Sequence, residues 1–242
     1  MPQGRHQAGC RCHRRDGAGA ENARRPGTDA LKEENIGALE KGFANLERHL
    51  TNLRQFGVPA VVSINRFSAD TDRELGRLKE MCAGLGVEAV VADHWASGGE
   101  GAADLARAVV GLAESGRAEF RFLYPDEMPL WDKVRTIAQR LYGARDIEAD
   151  KAVRDRFAAL QDQGFGHLPV CIAKTQYSFT TDANVKGAPS DHLVTVREVR
   201  LSAGAEFVVV VCGEIMTMPG LPRVPAANSI EVGEDGRITG LF

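Results

Sequence analysis

Two apolar runs that each end in an aromatic side chain constrain this chain most: VVSINRF at 61–67 and VVADHWASGGEG at 90–101. A helical pattern follows each. A short apolar run that passes through a polar loop into a helix reads as a buried parallel strand. Two such strands in succession deliver their C-terminal ends to one sheet edge, where open α/β sheets bind ligands. Phe67 and Trp95, 28 residues apart, would share that edge and could clamp a flat heterocycle. The competing expectation is that both rings are packing residues, since Trp is highly buried on average.

The chain around these strands divides into three parts. Residues 1–30 are rich in Arg, Gly and Ala and contain no Ile, Leu, Val or Phe. Such a segment cannot bury enough apolar surface to offset chain entropy, so it reads as a disordered or non-native tail. A truncated or frame-shifted start and a solvated basic tail are the two accounts of it. Residues 31–125 read as the β-α-β part of the main α/β domain. Ile36, Leu39, Phe43, Leu46, Leu50 and Leu53 recur at three- and four-residue spacing, an amphipathic helix over 34–56 closed by Gly57. Asp70 and Thr71 open the helix through Leu85. FRFLYP (120–125) reads as a further short strand.

Residues 126–242 read as a smaller α+β portion. Pro129 suits a first helical turn, Gly143 a helix end, and Asp126 with Glu127 the capping of that helix. DIEADKAVRDRFAALQDQG (146–164) reads as a second helix. LPVCIAK, HLVTVREVRL and AEFVVVVCGEI have strand patterns, the last two joined as an antiparallel hairpin. A second hairpin is expected over Asp235-Gly236. The fold class expected for the whole is α/β: part of a parallel sheet with flanking helices, then the α+β portion.

At 242 residues the chain can bury a sizeable core, and 43% hydrophobic with 26% charged residues is ordinary for a globular protein. A net charge of −3 gives no footprint for nucleic acid or an anionic membrane. No apolar run approaches the ~20 residues of a membrane span, and the Arg-rich start has no secretory h-region, so a cytoplasmic location is expected. Five cysteines, at 10, 12, 82, 171 and 212, lack disulfide-scaffold density. Cys82, Cys171 and Cys212 are expected as buried thiols. The His6, Cys10, Cys12, His13 spacing is tighter than a usual zinc site, so no metal is expected.

NIGALEKGFANLERH, INRFSADTDRE, DHWASGGEGAADLA, FLYPDEMPLWDKVRTIAQRLYGA, IAKTQYS and MTMPGLPRVPAA occur in that order, and the chain closes on GRITGLF. With these segments the chain resembles formate–tetrahydrofolate ligase, also called 10-formyltetrahydrofolate synthetase, from about Leu31 to Phe242. It looks like the C-terminal part of a family member. The family carries a GxxxxGK(S/T) phosphate loop near its N-terminus, and these residues contain none. The resemblance therefore implies the remnant of a P-loop-type sheet, the folate-binding half without the ATP-binding half.

The activity implied is ATP-dependent ligation of formate to N10 of tetrahydrofolate, with ATP and Mg²⁺ as co-substrate and tetrahydrofolate, formate and ATP as small-molecule partners. A homo-oligomer is left open. The alternative is a non-catalytic folate-binding fragment or degenerate module. The family holds its pterin between aromatics at the motif positions of Phe67 and Trp95. Catalytic residues are not assigned. Asn65 and Arg66 end the first strand and are cleft candidates. Ser97, Gly98 and Gly99 follow Trp95, where glycines permit close backbone approach and free amides. Lys174, Thr175, Gln176 and Tyr177 end a strand in hydrogen-bonding groups, which reads as a functional loop. Pro219, Gly220 and Leu221 belong to a Pro/Gly-punctuated loop expected to wall the cleft. His94 is a general-base candidate by residue type only.

Overall fold

A computed structural model of the protein describes residues 34–215 and 224–240. The expected tail at 1–30, with His6, Cys10, Cys12 and His13, and the loop residues Pro219, Gly220 and Leu221 lie outside the described residues.

The first half is built on a parallel strand pair. Helix α1 (Ile36–Gln55) starts at Asn35, whose side chain accepts from the Ala38 amide at 2.9 Å, and buries Leu46 and Leu50. Strand β1 (Val61–Asn65) pairs in parallel with β2 (Glu88–Ala92), in a register running from Val61↔Glu88 to Asn65↔Ala92. Between them, α2 (Asp72–Gly84) opens on Thr71 with a reciprocal capping box to Glu74. A short helix α3 (His94–Ser97), a 3-10 turn at Glu100–Ala102 and helix α4 (Ala103–Glu114) follow β2. One core forms here from Leu46, Leu50, Val62, Ile64, Leu75, Leu78, Cys82 and Val87. The alternating apolar residues of β1 and the inner stripes of α1 and α2 supply it.

The second half packs two helices on a mixed sheet. Helix α5 (Leu130–Tyr142) ends at Gly143, left-handed at φ 72°, as a helix C-terminus favours. Then come β3 (Asp146–Glu148), α6 (Lys151–Asp162), β4 (Val170–Ala173), β5 (Leu193–Ser202) and β6 (Phe207–Cys212). The strand order is β3-β5-β6-β4, with β5 and β6 antiparallel and the two outer pairs parallel. Leu130, Val134, Phe157, Leu160, Val194, Val196, Val208 and Val210 form its core. A separate hairpin, β7 (Glu231–Val232) with β8 (Ile238–Thr239), turns through Gly236. The architecture is α/β, with a parallel pair and a mixed sheet.

Four local expectations are corrected. Residues 120–125 form no strand. The extended segment instead donates from the Glu119 and Arg121 amides to the carbonyls of Gly57 and Phe56, both at 3.0 Å, so its backbone is spent on the end of α1. The helix expected from 146 starts at Lys151, because Asp146–Glu148 pairs with Leu193–Thr195 and Asp150 caps through the Val153 amide at 2.8 Å. Neither Asp126 nor Glu127 caps α5; Pro129 stands at the cap position, and the Leu130 amide donates to Gln161 Oε1 at 3.2 Å. Cys82 and Cys212 are buried, but Cys171 is exposed, because β4 is an edge strand of its sheet.

Candidate functional site

The parallel register puts the ends of β1 and β2 side by side, with Asn65 opposite Ala92. Phe67 lies two residues beyond the first strand and Trp95 three beyond the second, so both stand at the C-terminal edge of the pair. Phe67 is 56% and Trp95 86% exposed. Neither ring contributes to a core. An exposed indole at a strand-end edge has no packing task in the described residues, and it presents a flat apolar face to solvent.

Both rings sit on tight turns. After Asn65, the Arg66 amide donates to Ala92 O at 3.1 Å, extending the strand ladder by one step. The Phe67 amide then donates to Asp70 Oδ2 at 2.8 Å, and the Asp70 amide returns to Phe67 O at 3.0 Å. Arg66 reaches Asp72 at 3.2 Å, an exposed pair of small energetic weight. On the other strand, Trp95 occupies α3 between Asp93 and Gly98, whose φ is 58°. The Asp93 amide donates to Gly101 O at 2.9 Å. A methyl at Gly101 would meet Asp93 O at 2.3 Å and His94 N at 2.8 Å, so only glycine allows this approach. Ser97, Gly98, Gly99 and His94 are exposed around the turn, and Asn65 is half-buried at its base. Gly99 has neither constraint; Gly98 serves the turn through its positive φ, and the close approach depends on Gly101. The strand-to-helix run of small residues pointed to the segment but did not single out that position.

The loop after β4 has a different character. Lys174 Nζ donates to the carbonyls of Thr175 at 3.0 Å, Ser178 and Thr180 at 3.2 Å, and lies 4.9 Å over the Tyr142 ring. An ammonium has three donors, and all are satisfied within its own loop. Burial holds the Lys174 amine below the usual lysine range, with Cys212 acting in the opposite sense. Thr175 is buried, whereas Gln176 and Tyr177 are exposed. The contacts of this loop run to α5 through Tyr142 and to α1, where Phe179 packs 4.9 Å from the His49 ring and under Arg48.

A cavity of about 580 Å³ opens at the opposite, N-terminal end of the strand pair, lined by Val58, Pro59, Val61, Val87, Ala108 and Leu112 among others. Its lining contains no aromatic ring, so it offers nothing to stack a heterocycle. The strand C-terminal edge, which carries both rings, is the better candidate on physical grounds.

Comparison with known proteins points to one family. The family profile described as Formate--tetrahydrofolate ligase matches residues 8–242. The Formate--tetrahydrofolate ligase of Granulibacter bethesdensis is 65% identical over 214 residues, covering 88% of this chain and 37% of that protein. Proteins of the same name from Roseobacter denitrificans and Mesorhizobium japonicum are 59% and 58% identical over 212 residues, covering 88% of this chain and 38% of theirs. The chain thus spans a little over a third of the length of these curated relatives. With the family profile running through both halves of the described fold and these identities beside it, the chain belongs to the formate–tetrahydrofolate ligase family.

Proposed function

We propose that this chain binds tetrahydrofolate at the C-terminal edge of β1 and β2, with Phe67 and Trp95 on either side of the pterin. The observation that carries this reading is the pair of exposed rings on adjacent, register-matched strand ends. Stacking a heterocycle against them buries aromatic area and adds ~0.5–1.5 kcal/mol per well-oriented ring pair. Asn65, Arg66, Ser97, Gly98 and Gly99 border the same edge and are the polar and backbone groups within reach of the heterocycle's rim.

The reaction served is ligation of formate to tetrahydrofolate in the cytoplasm, and the task of these residues within it is positioning. Holding the folate amine against an activated formyl group turns a bimolecular encounter into an effectively unimolecular one. We read the parallel pair as part of a larger P-loop-type sheet. No step through ATP or Mg²⁺ is assigned to these residues. The sequence has no GxxxxGK(S/T) loop, and the described residues hold no cluster of three His, Cys, Asp or Glu arranged for a metal ion.

Titration with tetrahydrofolate tests the proposal. Trp95→Ala is expected to weaken binding by roughly 1–3 kcal/mol, the range for loss of an aromatic stacking partner. It should leave the urea midpoint nearly unchanged, because the ring is exposed. Trp131 is the control: it meets Phe157 edge-on at 5.4 Å and lies under Arg154, so Trp131→Ala should cost stability first. Equal affinity in wild type and Trp95→Ala would end the clamp reading.

A further inference from the structure

We propose that Asp70 and Gly101 are positioning residues that hold the two aromatic turns in their binding geometry before any ligand arrives. The proposal rests on the clamp reading above and adds what fixes the clamp. Exposed rings on loops would otherwise sample many orientations, and a site that must order them on binding loses affinity. The structure shows a separate fastening for each ring. Asp70 accepts the Phe67 amide through Oδ2 at 2.8 Å, while its own amide closes the turn onto Phe67 O at 3.0 Å. The same four residues are thus tied twice, once by side chain and once by backbone. A carboxylate accepting a backbone amide is a charge-assisted bond, stronger than a neutral one.

Gly101 fastens the other turn by shape. Its carbonyl takes the Asp93 amide at 2.9 Å, and its missing side chain lets Asp93 and His94 pass within a distance no Cβ tolerates. The segment between Asp93 and Gly101 is thereby closed into a loop with Trp95 on its outer face. The Arg66 amide joins the two turns through Ala92 O at 3.1 Å, so displacement of one strand end is felt at the other. Asp70 is distinguished from its neighbour Asp72, whose partner is the exposed Arg66 guanidinium rather than the backbone that carries the ring.

Amide hydrogen exchange of the free protein, combined with tetrahydrofolate titration, tests the assignment in Asp70→Ala, Asp70→Asn and Gly101→Ala. Gly76→Ala, on a helical position with open space around it, is the control. Asp70→Ala is expected to speed exchange at the Phe67 amide and weaken folate binding about five- to tenfold, the equivalent of one lost hydrogen bond. Asp70→Asn, which keeps an acceptor oxygen, should recover most of both. Gly101→Ala should speed exchange around Asp93 and weaken binding by at least as much, with Gly76→Ala unchanged. Faster exchange with unchanged affinity, while Trp95→Ala still loses binding, would overturn the positioning roles and leave the clamp standing. Unchanged exchange in both Ala variants would overturn the fastening itself. Unchanged affinity in Trp95→Ala would remove the clamp, and the positioning roles with it.

Discussion

Lys133 Nζ lies 2.8 Å from the carbonyl oxygen of Gly166, and the lysine is completely buried. A second bond runs to Leu168 O at 2.9 Å, and the Tyr124 ring sits 5.7 Å away. A lysine on the inner face of α5 thereby anchors the turn that leads into β4. Burial holds its amine below the usual lysine range, while Asp126 and Glu127 pull the other way.

Lys133→Met keeps the apolar stem of the side chain but leaves two carbonyl oxygens without their donor. Loss of two such bonds predicts destabilisation of about 2–3 kcal/mol. Urea melts of the two proteins would measure it, and folate binding should be unaffected at temperatures where both are folded. A change below about 0.5 kcal/mol, the scale of an ordinary surface substitution, would mean that the carbonyls find water instead.

Glu74 ties two helix starts together. One carboxylate oxygen accepts the Asn35 amide at 3.0 Å and the other the Thr71 amide at 3.3 Å, while Thr71 Oγ1 accepts the Glu74 amide at 3.2 Å. Thr71→Ala should cost about 1 kcal/mol as a lost N-cap. Glu74→Ala should cost more, because the α1 start is released as well. The double variant should fall short of the sum, since each residue serves the other's bond. Strict additivity in denaturation experiments would show that the box contributes nothing as a unit.

The start of α2 at Thr71 was legible in the sequence, and so were the parallel strands, because both are written locally: a capping residue type before a helical pattern, apolar runs before helical patterns; the reciprocal bond from Glu74 came with the structure. What was not legible depends on distant partners. Asp146–Glu148 is three residues long and becomes a strand only because Leu193–Thr195 lies beside it. The 120–125 segment has strand composition, yet its backbone is claimed by Phe56 and Gly57. Nothing in the local sequence around Lys133 announces the Gly166 and Leu168 carbonyls that bind it, since both come from the turn before β4. At the candidate site, the strand-end places of Phe67 and Trp95 were readable, whereas the Asp70–Phe67 and Asp93–Gly101 hydrogen bonds were not.

Thiol chemistry should follow the edge-strand position of Cys171. In a background with Cys10 and Cys12 replaced by Ser, one thiol should react with a disulfide reagent in the native state, and Cys171→Ser should abolish it. Cys82 and Cys212 are buried, and burial pushes the Cys212 thiol up to about 12 despite the nearby Lys174 ammonium. Thiolates are the reacting species, so both should stay silent until the protein unfolds. Rapid native-state labelling of Cys212 would contradict the packing of β6.

Acid should loosen the junction between α1 and the loop before β5. Burial lowers the His49 imidazole below its ordinary value, and the Lys174 ammonium adds to the effect. For His192 burial is again the main cause; Lys174 and Arg48 add to it, while the Phe179 backbone and Asp191 act in the opposite sense. Both imidazoles are therefore more readily protonated in the unfolded chain than in the folded one. The unfolded chain binds more protons as pH falls, so folding stability declines with it. The contribution is fully present above the unfolded value near 6.5. It is lost progressively as pH drops through that value towards the lowered folded ones. Urea melts at steps from pH 8 to pH 5.5 should show stability falling over the lower part of the range. His49→Gln should flatten that slope while leaving the melts above pH 7.5 comparatively parallel. A slope identical to wild type in His49→Gln would place the acid sensitivity elsewhere.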